Sequence, residues 1–327
     1  MNISSLKLCL IFLLLFCSCS KDQSLLEDSV VNIVYPIGGL GDQSFVDNIF
    51  KGVVSSKYEH QFELHHFFPE NHSLAIDIID SLISIGPNSK ELLILADGTY
   101  GRILDSYDKE IVNKRILLLD GSSQNEIWTV EFSFYGAAYL AGVAAARVSK
   151  SDTVAFIAGM PLQVLMDCYN GFSDGFISKG GNFVELHYLH TTPLGFEMIN
   201  EAEQLTRYLL KHTDLVVGAA GGSNMGIFNV LRGQSEKYAI GIDSDQSHFA
   251  PDAVIGSITK NVGSVLNSCL NDIDHDGYTI KNELLDLKSG YTDFVVNSLF
   301  VQILGNSVEN AREEAILKEE IILNENR

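Results

Sequence analysis

Residues 30–45 read Val-Val-Asn-Ile-Val-Tyr-Pro-Ile-Gly-Gly-Leu-Gly-Asp-Gln-Ser-Phe, and the stretch changes character near its middle. The β-branched part, residues 30–35, predicts a buried strand. The glycine-rich part, residues 38–44, predicts a tight turn and a helix start, in which Asp42 or Ser44 is the N-cap. A strand, a glycine-rich loop and a helix in this order form the opening unit of an α/β fold.

The same alternation continues along the chain. Strands are predicted at 30–35, 62–67, 92–95, 116–119, 154–158, 183–189, 215–219 and 239–242. Helical periodicity lies between them, at 74–85, 137–148, 201–211 and 262–270. Such alternation predicts parallel sheets connected by right-handed crossovers. About 300 residues suit two doubly wound lobes, with a closed barrel as the alternative.

Polar, glycine-rich loops follow several of the predicted strands. They lie at 38–44, 96–98, 159–161, 221–224 and 243–246. Ligands of open α/β sheets bind beyond the carboxyl ends of the strands. Two lobes that face each other across such loops would form a cleft for a small molecule.

The composition excludes several functions. The formal net charge is −20, so the surface repels nucleic-acid phosphates and a nucleic-acid partner is not expected. The chain has no P-loop, no His-Glu-x-x-His helix, no Gly-x-Ser-x-Gly elbow and no Ser-x-x-Lys placed as a nucleophile. We therefore predict a binding protein and no enzyme activity.

The N-terminus has the organisation of a lipoprotein signal. Lys7 precedes an apolar run at 8–16, which is shorter than the ~20 residues that a spanning helix needs. Ser18-Cys19 after this run resembles a lipobox. We predict a signal peptide at 1–18, lipidation of Cys19 and a polar tether at 19–28, which would anchor the protein outside the cytoplasm. A cleaved signal peptide without lipid is the alternative.

Two further patterns involve possible metal or sulfur chemistry. Cys168 and Cys269 have no nearby partner in the sequence, and buried free thiols are the expected state. The acidic run that begins at Asp272 matches the EF-hand loop, and Ca²⁺ is the one cofactor that the sequence suggests. A solvated acidic helix end is the alternative. The metal ligands in the first interpretation are Asp272, Asp274, Asp276 and Glu283.

Four segments together resemble the basic membrane protein family of ABC-transporter lipoproteins, which includes the purine nucleoside receptor of spirochaetes. They are Gly-Gly-Leu-Gly-Asp-Gln-Ser-Phe at 38–45, Ala-Ala-Tyr-Leu-Ala-Gly at 137–142, Ala-Ala-Gly-Gly at 219–222, and Gly-Ile-Asp-Ser-Asp-Gln at 241–246 with Ser-Ile-Thr-Lys-Asn at 257–261. The resemblance runs from about residue 31 to the C-terminal region.

The resemblance implies a type I periplasmic binding protein, with two doubly wound lobes and a three-strand hinge. Hinge strands are expected near 128–131, 257–260 and 293–296. Lobe 1 would comprise 29–131 with 258–293, and lobe 2 would comprise 132–257 with 294–327. The implied partners are a nucleoside and an ABC permease, and the implied state is a monomer.

The resemblance also assigns roles to single residues. Phe45 would stack on a purine, Phe196 is the candidate for a second stacking ring, and Asp243 and Lys260 would hold the ribose hydroxyls. Loop residues expected to line the same cleft are Asp42, Asp97, Met160 and Gly222. For Phe45 the alternative is a core position, and for Asp243 with Lys260 it is a structural salt bridge.

Three positions depart from the family pattern, namely Val46, Pro161 and Cys168. They replace a common asparagine, a cleft carboxylate and a phenylalanine. Two other functions therefore remain open at this point: a surface lipoprotein or adhesin with an inactive cleft, and a binding protein for another hydroxylated small molecule.

Overall fold

A computed structural model describes residues 29–84, 90–107 and 114–325 of the 327-residue chain. The predicted signal peptide and Cys19 lie outside the described residues. Within them are two six-stranded sheets, each covered by helices on both faces. The predicted α/β class with two parallel-sheet lobes is confirmed.

The first sheet has the strand order β11-β5-β4-β3-β1-β2, and all its neighbours are parallel. Its members are β1 (Val30–Val34), β2 (Glu63–Phe67), β3 (Glu91–Leu95), β4 (Arg115–Leu119), β5 (Trp128–Phe132) and β11 (Asn282–Leu285). The order reverses between β1 and β3, which is a switch point of a doubly wound sheet.

The second sheet repeats this arrangement in the order β12-β10-β9-β8-β6-β7. Its members are β6 (Thr153–Ala158), β7 (Phe183–Tyr188), β8 (Leu215–Ala219), β9 (Tyr238–Asp243), β10 (Val254–Lys260) and β12 (Thr292–Val296). The edge strand β12 runs antiparallel to β10, and the other pairs are parallel. Here the switch point lies between β6 and β8.

The helices pack on these sheets in chain order. They are α1 (Phe45–His60), α2 (His72–Ser84), α3 (Gly101–Leu104), α4 (Tyr135–Val148), α5 (Gln163–Ser178), α6 (Ile199–Leu209), α7 (Asn224–Leu231), α8 (Val262–Asp276), α9 (Val301–Leu304), α10 (Ser307–Asn310) and α11 (Arg312–Glu325). Helices α1 and α8 cover one face of the first sheet, and α4 and α5 cover one face of the second. Each lobe is therefore a three-layer α/β/α sandwich.

The eight predicted strands and four predicted helices all form, and most of their ends agree within two residues. Helix α8 is the exception, since it continues six residues beyond the predicted end at residue 270. Leu270 and Ile273 explain the extension, because both are buried and continue the apolar face.

The chain crosses between the sheets three times, at 133–134, at 261 and at 286–291. We call these segments the first, second and third connections. The expected hinge stretches at 128–131, 257–260 and 293–296 are instead parts of β5, β10 and β12, each inside one sheet. Strand β10 therefore lies wholly in the second sheet, although the predicted division placed 258–260 in lobe 1.

Within each lobe, glycines bring helices to backbone contact. A methyl group on Gly142 of α4 would lie 2.1 Å from the carbonyl oxygen of Phe172 on α5, and one on Gly175 would lie 2.1 Å from the carbonyl oxygen of Tyr139. Helices α1 and α8 approach in the same way, since a methyl group on Gly52 would lie 2.7 Å from the Gly263 backbone. These helix pairs have no room for added atoms.

Gly142→Ala should therefore destabilise the second lobe by about 1–3 kcal/mol, because the added methyl group forces α4 and α5 apart. Urea unfolding followed by circular dichroism measures the change. Asn170→Ala is the matched control, since Asn170 is exposed on α5 and should change the free energy of unfolding by less than about 0.5 kcal/mol. Equal stability of the two variants would contradict the close packing.

Candidate functional site

The carboxyl ends of the two sheets meet at loops that the sequence analysis singled out. The Ser44 hydroxyl lies 3.0 Å from Oδ2 of Asp243 and 3.3 Å from the carbonyl oxygen of Ile242. The Ser244 hydroxyl donates to the carbonyl oxygen of Gln43 at 3.1 Å. The loop after β1 and the end of β9 are thus joined across the junction of the lobes.

A buried lysine lies at the centre of this junction. Lys260, the last residue of β10, has a side chain that is 4% exposed. Its ammonium Nζ lies 2.6 Å from Oδ2 of Asp120, which follows β4 of the first sheet, and 3.6 Å from Oδ1 of Asp243. One ammonium group therefore links carboxylates from both lobes. We call these three residues the junction triad.

Three phenylalanine rings surround the ammonium group. Nζ of Lys260 lies 4.0 Å from the ring centroid of Phe45, 5.1 Å from that of Phe134 and 5.6 Å from that of Phe132. A cation within about 6 Å of a ring face is attracted by the ring quadrupole. Phe45 is the first residue of α1, so the helix start brings its ring to the triad.

Burial and neighbouring charges set the protonation states here. Burial raises the pKa of Asp243, Lys260 opposes this rise, and the nearby carboxylates Asp42 and Asp120 add to it. For Lys260, burial acts to lower the pKa, but the attraction of Asp120 and Asp243 outweighs it and the pKa is raised. The ammonium form of Lys260 is therefore the stable one. Burial and Asp120 also raise the pKa of Glu131 on β5.

Both carboxylates of the triad come from unusual backbone positions. Asp120 has φ 61° and Asp243 has φ 65°, in the left-handed region that few residues other than glycine, asparagine and aspartate adopt. Each residue directly follows or ends a buried strand. This conformation turns the chain out of the sheet and directs it into the loop beside the triad.

Asp42 and Asp97 lie at the β1/β3 switch point, as expected, and both cap local structure. The Asp42 carboxylate accepts hydrogen bonds from the N–H groups of Ser44, Val46 and Asp47 at 2.9–3.2 Å. Of the two predicted caps, it is therefore the Asp42 side chain that satisfies the first turn of α1. The Asp97 carboxylate accepts from the N–H and hydroxyl groups of Thr99, both at 2.8 Å.

Phe196 and Gly222 form the facing wall in the second lobe. The Phe196 ring packs on Gly159, where a methyl group would lie 2.5 Å from the ring. A methyl group on Gly222 would lie 3.2 Å from the Phe196 carbonyl oxygen and 4.0 Å from Cα of Asp42 in the other lobe. Met160 is partly buried in the loop after β6, next to Gly159. These residues border the β6/β8 switch point.

The structure thus brings Phe45, Asp243 and Lys260 together and adds residues that the sequence analysis missed. The missed ones are Ser44, Asp120, Phe132 and Phe134. For Asp120 a signal was present, because it follows the predicted strand 116–119 and precedes a glycine, which is the pattern of the other cleft loops.

The four predicted calcium ligands are not brought together. Residues 272–276 form the last turn of α8 rather than a loop, Asp272 pairs with Lys281 at 2.6 Å, and the buried Asp274 contacts His60 at 2.9 Å. Asp276 ends the helix, and Glu283 lies on β11. Across residues 29–84, 90–107 and 114–325, no group of three or more His, Cys, Asp or Glu side chains is placed to hold a metal ion.

Cys168 and Cys269 are both buried free thiols, as predicted. Burial raises the pKa of Cys269 to about 12, with Glu283 and Asp272 adding to the rise. In the part of the chain that the structure describes, we find no helix with the length and apolar character of a membrane span.

Two doubly wound lobes, three connections and polar loops from both lobes at one junction define a two-lobed solute-binding protein. The chain belongs to the family described as ABC transporter substrate-binding protein PnrA-like, whose model matches residues 29–327. Members of this family are substrate-binding proteins and not enzymes.

Individual relatives agree with this family. Basic membrane protein A2 of Borrelia garinii subsp. bavariensis is 27% identical over 334 residues, which cover 98% of this chain and 94% of that protein. A lipoprotein of Pyrococcus furiosus that is named as uncharacterized is 25% identical, over 81% of this chain and 69% of that protein. Among solved structures, an ABC transporter solute-binding protein from Aeropyrum pernix K1 has a TM-score of 0.72 at 20% identity, over 89% of this chain and 86% of that one. The last similarity shows the fold.

Lys260→Met should cost about 3–5 kcal/mol at pH 7, because it leaves buried carboxylates without their cation. The variant should recover stability as the pH falls. Without Lys260 the pKa of Asp243, already raised by burial, rises further in the folded protein, so the folded state binds a proton that the unfolded state does not. The recovery should occur between the folded and the unfolded pKa of that carboxyl. Urea unfolding at pH 7 and pH 5 measures it.

The matched control is Lys150→Met, which removes an exposed ion pair with Glu236. Exposed pairs contribute about 0–1 kcal/mol, so this variant should stay near the parent protein at both pH values. A Lys260→Met protein as stable as the control would show that the triad does not hold the lobes together.

Proposed function

We propose that this protein is a lipid-anchored solute-binding protein that captures a nucleoside, in particular a purine nucleoside, and delivers it to an ABC permease. The ligand would contact both lobes and favour their closed arrangement through its higher affinity for that state. The family supplies the transport role. The nucleoside and the anchor are the parts that need testing.

The observation that carries the nucleoside assignment is the junction triad beside the Phe45 ring. Vicinal hydroxyls donate to carboxylates and accept from an ammonium group, and Asp243 and Lys260 supply both functions next to each other. Hydrogen bonds to charged groups are worth about 1.5–3 kcal/mol each. Phe45 and the facing Phe196 are flat surfaces for a base, one from each lobe. All four residues belong to the loops at which the two sheets meet.

A binding protein for another hydroxylated small molecule is the second candidate, and one contact favours it. The ammonium group of Lys260 lies 4.0 Å from the Phe45 centroid and thus covers one face of the ring. A polyol could use the triad without stacking on Phe45. An inactive cleft in a surface lipoprotein is the outcome in which neither class of ligand binds.

The first test is a thermal-shift screen of the mature protein with inosine, guanosine, adenosine, cytidine, uridine and ribose. A ligand at a hundred times its Kd adds ~2.7 kcal/mol of stability, which raises the Tm by several degrees. We expect a shift with purine nucleosides and little with ribose. A shift with ribose or other polyols alone supports the second candidate, and a cooperative transition that no ligand moves supports the inactive cleft.

Two variants then test the residues. Phe45→Leu should weaken purine nucleoside binding by about 0.5–1.5 kcal/mol, about two- to twelvefold in Kd, through lost stacking. Asp243→Asn keeps a residue that tolerates the left-handed backbone but loses a charged acceptor, at about 1.5–3 kcal/mol. Asp245→Asn, two residues on and exposed, is the control and should bind like the parent protein in calorimetry.

The anchor is tested separately. Cys19→Ser should abolish incorporation of labelled palmitate and release the protein from the membrane fraction, because Cys19 is the predicted lipid attachment site. Cys17→Ser is the control and should leave both unchanged. Palmitate incorporation into the Cys19→Ser protein would refute the assignment of Cys19. The names of several relatives as lipoproteins support the prediction.

A further inference from the structure

A buried carboxylate lies against two of the three connections between the lobes. Glu319 on α11 is 1% exposed. Its Oε1 accepts hydrogen bonds from the Ser133 hydroxyl at 2.6 Å and from the N–H of Gly136 at 2.9 Å. Its Oε2 accepts from the N–H of Leu287 at 3.0 Å. Both oxygens are therefore satisfied, each by a different segment.

The donors belong to elements that are far apart in the sequence. Ser133 is in the first connection, Gly136 is in the first turn of α4, and Leu287 is in the third connection. The absence of a side chain at Gly136 makes room for the carboxylate, since a methyl group there would lie 2.6 Å from Oε2 of Glu319. The N-terminal end of a helix also favours a negative charge. The carboxylate thus has a site built for it.

We propose that Glu319 is a positioning residue for ligand binding, which holds the first and third connections against the second lobe and so favours the closed arrangement of the lobes. This inference rests on the substrate-binding role and not on the nucleoside as ligand. Any rotation of the lobes must change the backbone of the connections. If Ser133 or Leu287 moves away, a buried carboxylate oxygen loses its donor, which is costly in a site without water.

The neighbouring residue provides an internal comparison. Glu320 pairs with Lys288 of the same third connection at 2.6 Å, but the two side chains are 38% and 65% exposed. Water can replace this ion pair when the connection moves, so it should influence the lobes little. The contrast between Glu319 and Glu320 separates a buried constraint from simple proximity.

Glu319→Gln is the informative variant. An amide has the shape of a carboxylate, but its NH₂ group cannot accept a hydrogen bond. One side of the substituted side chain therefore faces an N–H or hydroxyl donor without an acceptor, and one connection is released. Spin labels introduced by Lys51→Cys and Glu201→Cys, exposed positions on α1 and α6, report the distance between the lobes in the mature protein. The native Cys168 and Cys269 are buried.

Without any ligand, we expect Glu319→Gln to shift the distribution of interlobe distances to longer values and to broaden it. Glu320→Gln should match the parent protein. Ser133→Ala removes one donor and leaves the other two, so it should shift the distribution in the same direction by a smaller amount, and it serves as the readout if Glu319→Gln does not fold. Parent-like distances in both Glu319→Gln and Ser133→Ala would overturn the proposal.

Ligand binding gives a second readout. With a ligand from the thermal-shift screen, Glu319→Gln should raise Kd by about 5–150-fold, the usual range of conformational coupling, although Glu319 contacts no residue of the junction triad in the structure. An unchanged Kd together with parent-like distances overturns the proposal. The distance measurement needs no ligand, so failure of every nucleoside to bind leaves this test intact.

Discussion

The ammonium group of Lys260 is the constraint on which the arrangement of the two lobes depends. A buried cation is tolerated only when carboxylates neutralise it, and here one carboxylate comes from each sheet. The lobes must therefore meet where the ends of β4, β9 and β10 can place Asp120, Asp243 and Lys260 within contact. The chemistry of the site and the geometry of the lobe junction are the same set of interactions.

Much of the fold follows from the sequence, because buried parallel strands and amphipathic helices have different periods. The strands that escaped prediction belong to the connections or the sheet edges. Strand β11, Asn-Glu-Leu-Leu at 282–285, is short and half polar, so pattern alone does not reveal it. The EF-hand match failed for a related reason. The apolar face of α8 continues through Leu270 and Ile273, and this burial holds the acidic residues in a helix.

The site was predictable only in part. Phe45, Asp243 and Lys260 lie in loops that follow strands, where ligands of such sheets bind. Asp120 lies in an equivalent place, but its importance depends on which residue of the other lobe it meets. That contact joins residues 140 positions apart. Asp42 shows the opposite case, since its position at the switch point suggested a ligand contact and the structure reveals a helix cap.

The left-handed backbone at Asp120 and Asp243 has a consequence for how such a cleft can evolve. Only glycine, asparagine and aspartate adopt this conformation readily, so most substitutions at either position strain the chain. Asparagine is the exception that preserves the shape, and one base change converts an aspartate codon into an asparagine codon. Descendants of this chain can therefore lose a negative charge from the cleft in one step without refolding it. A change of ligand charge is thus more accessible to them than a change of ligand shape.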